Sequence, residues 1–230
     1  AEMITGERDD YLLNGGRWFM SAGAGAGVDL VMGVTDPEAA PARRQSIVSV
    51  PRDTPGIRLI RPTTFLGFAE PGAAAWEIAY ENVRVPKANL LGEAGDGFRL
   101  GQVRLGPARV HHCMRAIGHS ETLIELMLLR AQERTAFGKP IADYDSIQQM
   151  VANSRMDLDQ ARLLTWKCAW TLDQQGDRAA RQQVSMIKVA VAHAYQRIAD
   201  RAIQVFGAMG GAPDTPIAEA YAWSRALRIF

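Results

Sequence analysis

The sequence predicts an α+β multidomain architecture, a small antiparallel β-barrel or sandwich followed by an antiparallel four-helix bundle. Two changes in pattern predict it. Up to about residue 96, short runs of β-branched and aromatic residues alternate with turn clusters; from about residue 97, apolar residues recur three and four apart. A first domain over 1–96 and a second over 97–230 result from that switch of period.

The β half contains "DYLLNGGRWFMS", "VDLVMGV", "QSIVSVP", "IRLIRP" and "AWEIAYENVRVP", separated by clusters such as Thr35-Asp36-Pro37 and Asp53-Thr54-Pro55-Gly56. Several strands at this spacing suit a small barrel or sandwich. Residues 36–45, "DPEAAPARRQ", read as an exposed hairpin loop, and "NLLGEAGDGF" reads as a glycine-rich crossing. The first helical stretch then runs for some forty positions, interrupted at Gly106-Pro107 and stopped at Gly138-Lys139-Pro140. A second covers about Ser146 to Gln175 and ends at Gly176, a third covers Ala179 to Phe206 and ends at Gly207, and a fourth begins near Ala218. Long helices joined by short glycine or proline turns make an antiparallel bundle.

Composition excludes several functions. The chain is 47% hydrophobic and 22% charged with a formal net charge of +1, so no global field draws it to nucleic acid or to an anionic membrane. No uninterrupted apolar run is long enough for a membrane span, and the polar, acidic start is unlike a signal peptide. Cys113 and Cys168 lack metal-site spacing and read as reduced core thiols, so no metal is expected. Without an initiator Met or a terminal helix stop, the sequence reads as a piece of a longer chain. A bacterial cytoplasm suits its Ala and Arg richness; a mitochondrial or peroxisomal protein is the alternative.

Gly23, Gly25 and Gly27 in "SAGAGAGVDLVMGV" invite comparison with a dinucleotide loop. That loop needs Gly-x-Gly-x-x-Gly opening a helix. Here the spacing is Gly-x-Gly-x-Gly, Val28 stands where the last glycine belongs, and "VDLVMGV" reads as a strand.

Four motifs, in order, resemble those of the acyl-CoA dehydrogenase family of flavoproteins: "YLLNGGRWFMSAG", "YENVRVPKANLLGEAGDGF", "ERTAFGKPI" and "AIQVFGAMG". "RLGPARVHHCMRAIG" and "SMIKVA" resemble most the branch fused in some animals to a phosphotransferase-like domain. The resemblance implies a middle β domain facing a flavin and a C-terminal helical domain, with the family's N-terminal helical domain absent.

It also implies roles. Phe19 would pack beside the flavin ring of FAD and Ser21 would hydrogen-bond its polar edge, which favours the reduced ring. Arg134 and Phe137 would contact the diphosphate and adenosine end of a neighbouring subunit's FAD, where a guanidinium's planar fork suits phosphate. Gln204, Gly207, Ala208 and Gly210 match the family's glycine turn, which approaches the diphosphate, with Ala208 and Met209 making it less open. "DYDS" replaces the family's usual pair with Tyr144 and Asp145, and a carboxylate beside a phosphate would be unfavourable. Arg109 would approach coenzyme A, although Gly106 stands at the neighbouring acidic position. His111 and His112 diverge by about 100° on a helix and read as structural or surface residues.

The implied reaction is α,β-dehydrogenation of an acyl-CoA to a trans-2-enoyl-CoA, with electrons passing to an electron-transfer flavoprotein and a homodimer or homotetramer sharing flavin contacts. The carboxylate that removes the α-proton would directly follow Phe230, and the alternative position on the first helix holds Pro107 and Ala108, so no catalytic base is identified. The alternatives are a flavin monooxygenase or oxidase on the same fold, and a non-catalytic acyl-CoA or flavin-binding relative.

Overall fold

A computed structural model describes residues 3–7, 9–69 and 74–229. They divide into two compact units, Ala1–Arg104 and Leu105–Phe230.

The first unit carries β1 (Met3–Glu7), β2 (Asp10–Met20), β3 (Val28–Val34), β4 (Gln45–Pro51), β5 (Ile57–Pro62), the two-residue strands β6 (Thr64–Phe65) and β7 (Phe68–Ala69), β8 (Trp76–Pro86) and β9 (Leu90–Leu91). The main sheet has seven strands in the order β5-β8-β2-β1-β3-β4-β9. The expected all-antiparallel arrangement needs one correction, because β1 and β3 pair in parallel at Met3 and Val34. The sheet is therefore mixed. The glycine segment does lead into a strand: Gly25 and Ala26 donate to the Ala22 carbonyl at 3.1 and 3.0 Å, and β3 comes directly after.

Alternation puts Val31, Val48, Val50, Ile78, Tyr80, Val83 and Val85 into one apolar cluster. The same phase of β3 also carries Asp29 inward, where it is only 1% exposed. Its charge is met there: Tyr80 donates its hydroxyl to Asp29 Oδ2 at 2.7 Å, and Arg52 forms an ion pair with Oδ1.

The helical region comprises α1 (Gly97–Glu133), β10 (Thr135–Ala136), β11 (Lys139–Pro140), α2 (Asp145–Phe206) and α3 (Pro216–Ala226). Asp96, just ahead of α1, accepts from Arg43 at 2.6 Å and Arg99 at 2.7 Å. The break expected at Gly106-Pro107 is absent, for α1 runs through Pro107. A proline inside a helix removes one backbone donor; here it does not end the element.

Residues 145–206 form one continuous element made of two helical limbs that part at Gly176, where the sequence reading ends one helix and begins the next. Gly176, at φ 79° and ψ 176°, is non-helical inside it. This left-handed conformation, readily open to glycine, lets the chain reverse. Asp157 accepts from Arg197 at 2.6 Å and Arg201 at 2.7 Å, so the limbs on either side of Gly176 fold back beside each other. Small and aliphatic residues fill the core, among them Ile124, Met127, Leu158, Ala161, Ile187, Ala192, Ile198 and Ala202. Alanines let the helix axes approach closely. No helix among the described residues is long and apolar enough to cross a membrane.

Candidate functional site

Within the second unit, the end of α1, the short β10–β11 hairpin, the start of α2 and its end line one cleft of about 720 Å³. Arg134 N–H donates to the Arg130 carbonyl at 3.0 Å, so the helical course persists just past α1. The chain then turns at Phe137 and Gly138, with φ values of 52° and 88°. Two consecutive positive values make a tight hairpin, and the second suits glycine. Phe137 pays for this shape with backbone strain and stands 98% exposed. Ile141 N–H closes the loop on the Arg134 carbonyl at 2.8 Å, and Tyr144 donates its hydroxyl to the Ala136 carbonyl at 2.9 Å.

The other wall is the end of α2. Gly207, at φ 65°, terminates it while donating to the Gln204 and Ile203 carbonyls. The succeeding turn doubles back so closely that a Cβ on Gly210 would lie 2.7 Å from Ile203 Cα. Gln204, Gly207 and Ala208 thereby come to line the same cleft as Arg134 and Phe137, some seventy positions earlier in the chain.

The cleft's lining includes no Asp or Glu. Asp145 does not line it: its carboxylate accepts from Gln149 Nε2 at 3.1 Å, so the concern about a carboxylate facing phosphate does not arise. Arg130, which the motifs did not single out, lines the cleft beside Arg134. Its guanidinium lies 5.7 Å above the Phe206 ring, and its buried Nε has no hydrogen-bond partner. The four-residue spacing of Arg130 and Arg134 on one helical face was a signal available in the sequence. Arginine donors without a carboxylate, together with a turn whose backbone is close-packed, fit an anionic group such as a diphosphate.

The remaining candidates lie elsewhere. Phe19 and Ser21 belong to the first unit. Phe19 sits at a register shift between β2 and β8, with φ 59°, and its exposed ring stacks on Trp18 at 5.5 Å. A bulge of this kind re-aims a side chain. Ser21, also exposed, stands just past the end of β2. Arg109 is half-buried on α1 and does not line the cleft; with burial it contributes to holding the Lys188 ammonium below its ordinary range. His112 Nδ1 pairs with Arg115 Nη2 at 3.1 Å, a local contact along the helix. Burial pushes the Cys113 thiol up to about 12, which keeps it protonated and unreactive. The expected base, placed after Phe230, lies outside the described residues, as does Phe230 itself.

A second cleft of about 380 Å³ lies between α2 and α3. Its arginines are engaged, Arg197 with Asp157 and Arg228 with Gln196 at 2.8 Å, and Asp200 adds negative charge. It is the weaker anion site.

Comparison with known proteins agrees with the motifs. Residues 95–230 match the family model "Acyl-CoA dehydrogenase, C-terminal domain". The chain is 48% identical to a probable acyl-CoA dehydrogenase of Mycobacterium tuberculosis over 99% of its own length and 56% of that protein's. It is 44% identical to acyl-CoA dehydrogenase family member 10 of Mus musculus, covering 98% of this chain and 21% of that protein. A structure from Mycobacterium abscessus, assigned as an acyl-CoA dehydrogenase, superimposes with a TM-score of 0.95 at 40% identity, over 100% of this chain and 57% of that one. The chain thus spans little more than half the length of the bacterial relatives, and it belongs to the acyl-CoA dehydrogenase family.

Proposed function

We propose that the protein to which this chain belongs is an FAD-dependent acyl-CoA dehydrogenase, converting an acyl-CoA to its trans-2-enoyl-CoA. The observation that carries this reading is the carboxylate-free cleft that gathers Arg134, Phe137, Gln204 and the turn at Gly207–Met209.

When bound, FAD would supply the acceptor for the hydride leaving the substrate's β-carbon. The residues have separable tasks. Arg134 binds the diphosphate through its fork of donors, and Gln204 with the backbone of Gly207 and Ala208 forms the opposite wall. The exposed ring of Phe137 offers an apolar surface to the adenosine end. In the first unit, the Phe19 ring would pack beside the flavin and Ser21 would donate a hydrogen bond to its polar edge. That donor favours the more negative, reduced ring. Arg109 pairs with an anionic group of coenzyme A. The carboxylate that takes the α-proton is not identified among the residues of this chain.

The reduced protein would pass its electrons to an electron-transfer flavoprotein. The protein is a homodimer or homotetramer built through its helices. Met156, Leu163, Trp166 and Trp170, all exposed along one limb of α2, support that assembly because an apolar stripe of this kind favours a partner over water.

The reading is tested by mixing the full-length protein anaerobically with a series of acyl-CoA thioesters and following the oxidised-flavin absorbance. Bleaching by at least one thioester, with slow reoxidation by oxygen and rapid reoxidation by electron-transfer flavoprotein, is expected. Fast reoxidation by oxygen would make it an oxidase. Failure to retain FAD would remove the reading.

A further inference from the structure

We propose that Arg130 is a second diphosphate-binding residue of the cleft, acting with Arg134 from the same end of α1. This rests on the reading of the cleft as the dinucleotide site. Both arginines line it, and no acidic residue does. The Arg130 side chain is half-buried, makes no hydrogen bond or ion pair among the described residues, and buries an unpartnered Nε. A guanidinium with no hydrogen-bonded partner keeps its N–H donors available. An anion in the cleft would give those that line it a partner.

The placement is selective. Phe206 lies under the guanidinium at 5.7 Å, a cation–π contact that holds the Arg130 head against the wall of the cleft. Phe206 is the last residue of α2, immediately before Gly207, so the ring that holds Arg130 belongs to the same wall as the turn. The bland alternative is a cation that merely complements the negative end of α1 and packs on Phe206. That role calls for charge near the helix end, but not for a buried Nε free of partners. Two guanidiniums match two phosphates; one suffices for a monophosphate.

Calorimetric titration of the full-length apoprotein with FAD, ADP and adenosine tests this, using R130M to keep the apolar stem and R130K to keep stem and charge. R130M is expected to weaken ADP and FAD binding about tenfold or more, the scale of a lost charge-assisted hydrogen bond, and to leave adenosine binding unchanged. It should also make ADP affinity less steeply dependent on salt. R130K should lie between R130M and the parent, and it carries the same contrast if R130M does not fold. If the parent binds FAD and ADP and the soluble variants match it, Arg130 is a packing residue and the proposal is wrong. If the parent binds neither, the cofactor reading of the cleft fails, and this proposal with it.

Discussion

The two units share surface ion pairs, such as Arg58–Glu81 in the first, but differ in one charge. In the β unit, Asp29 is buried between Arg52 and Tyr80, inside the sheet's apolar layer. In the helical unit, ion pairs lie toward the surface. Glu121 takes Arg155 and Arg162, whose pairing with Asp159 extends the network, and Asp157 takes Arg197 and Arg201. A buried charge depends on all of its partners, since water cannot replace any of them. A surface network is replaceable, and helix packing carries the stability. Deletions of similar chemistry should therefore differ greatly in cost.

Asp29→Asn provides the largest effect. It leaves Arg52 without its counter-ion in a buried setting, a loss of about 3–5 kcal/mol by the behaviour of broken buried pairs. Chemical denaturation of the full-length protein, monitored by tryptophan fluorescence, would measure it. A loss as small as that of a surface pair would erase the contrast between the units.

Gly23→Ala comes next. A Cβ there would lie 2.5 Å from Trp76 Cβ, so Trp76 or the turn would have to move. Overpacking of this kind costs about 1–3 kcal/mol. A lower denaturation midpoint of the full-length protein is the expected outcome; an unchanged midpoint would mean that the turn accommodates the added methyl group without moving Trp76.

These effects bear on what the sequence could disclose. Five strands were legible because β-branched runs alternate between turn clusters, and β2, β3, β4, β5 and β8 occupy them. β1, "MITGE", was not, because it is short and largely polar and is held by pairing with β2 and β3 rather than by its own pattern. Asp29 was hidden in "VDLVMGV" for a related reason: its place inside depends on Arg52 and on Tyr80, fifty-one positions away. Gly106-Pro107 read as an interruption of the first helix, yet α1 continues through Pro107 despite the lost donor. In the cleft, motif position identified Arg134, Phe137, Gln204, Gly207 and Ala208. Arg130 escaped because its significance lies in contact with Phe206 and in the absence of acidic neighbours, neither of which a motif records.

Asp157→Asn tests the helical unit, where the carboxylate is half-buried and one of its partners, Arg197, is half exposed. Burial alone would raise the Asp157 pKa, but hydrogen bonds and charge from Arg197 and Arg201 outweigh it and hold the group below its ordinary value of 3.8. Because the folded pKa is depressed, the contribution is fully present above the ordinary carboxylate range and is lost as pH falls through the folded pKa. The variant should cost about 1 kcal/mol at neutral pH, and its deficit should vanish in acid. A deficit that persisted in acid would assign the loss to limb packing instead of charge.

The smallest effect is expected at Gly25, two positions from the sensitive Gly23. No atom lies within 4 Å of a Cβ built there, and Gly25 N–H donates to the Ala22 carbonyl at 3.1 Å in a turn that alanine can also make. Gly25→Ala should therefore alter stability by less than about 0.5 kcal/mol and leave FAD affinity unchanged. Measured beside Gly23→Ala, it separates the two uses of the alternating glycines. One makes room for Trp76, while the other only permits the chain to turn toward β3. If Gly25→Ala weakened FAD binding while Gly23→Ala did not, the segment would be acting on the cofactor, and the roles proposed for Phe19 and Ser21 would have to be redrawn.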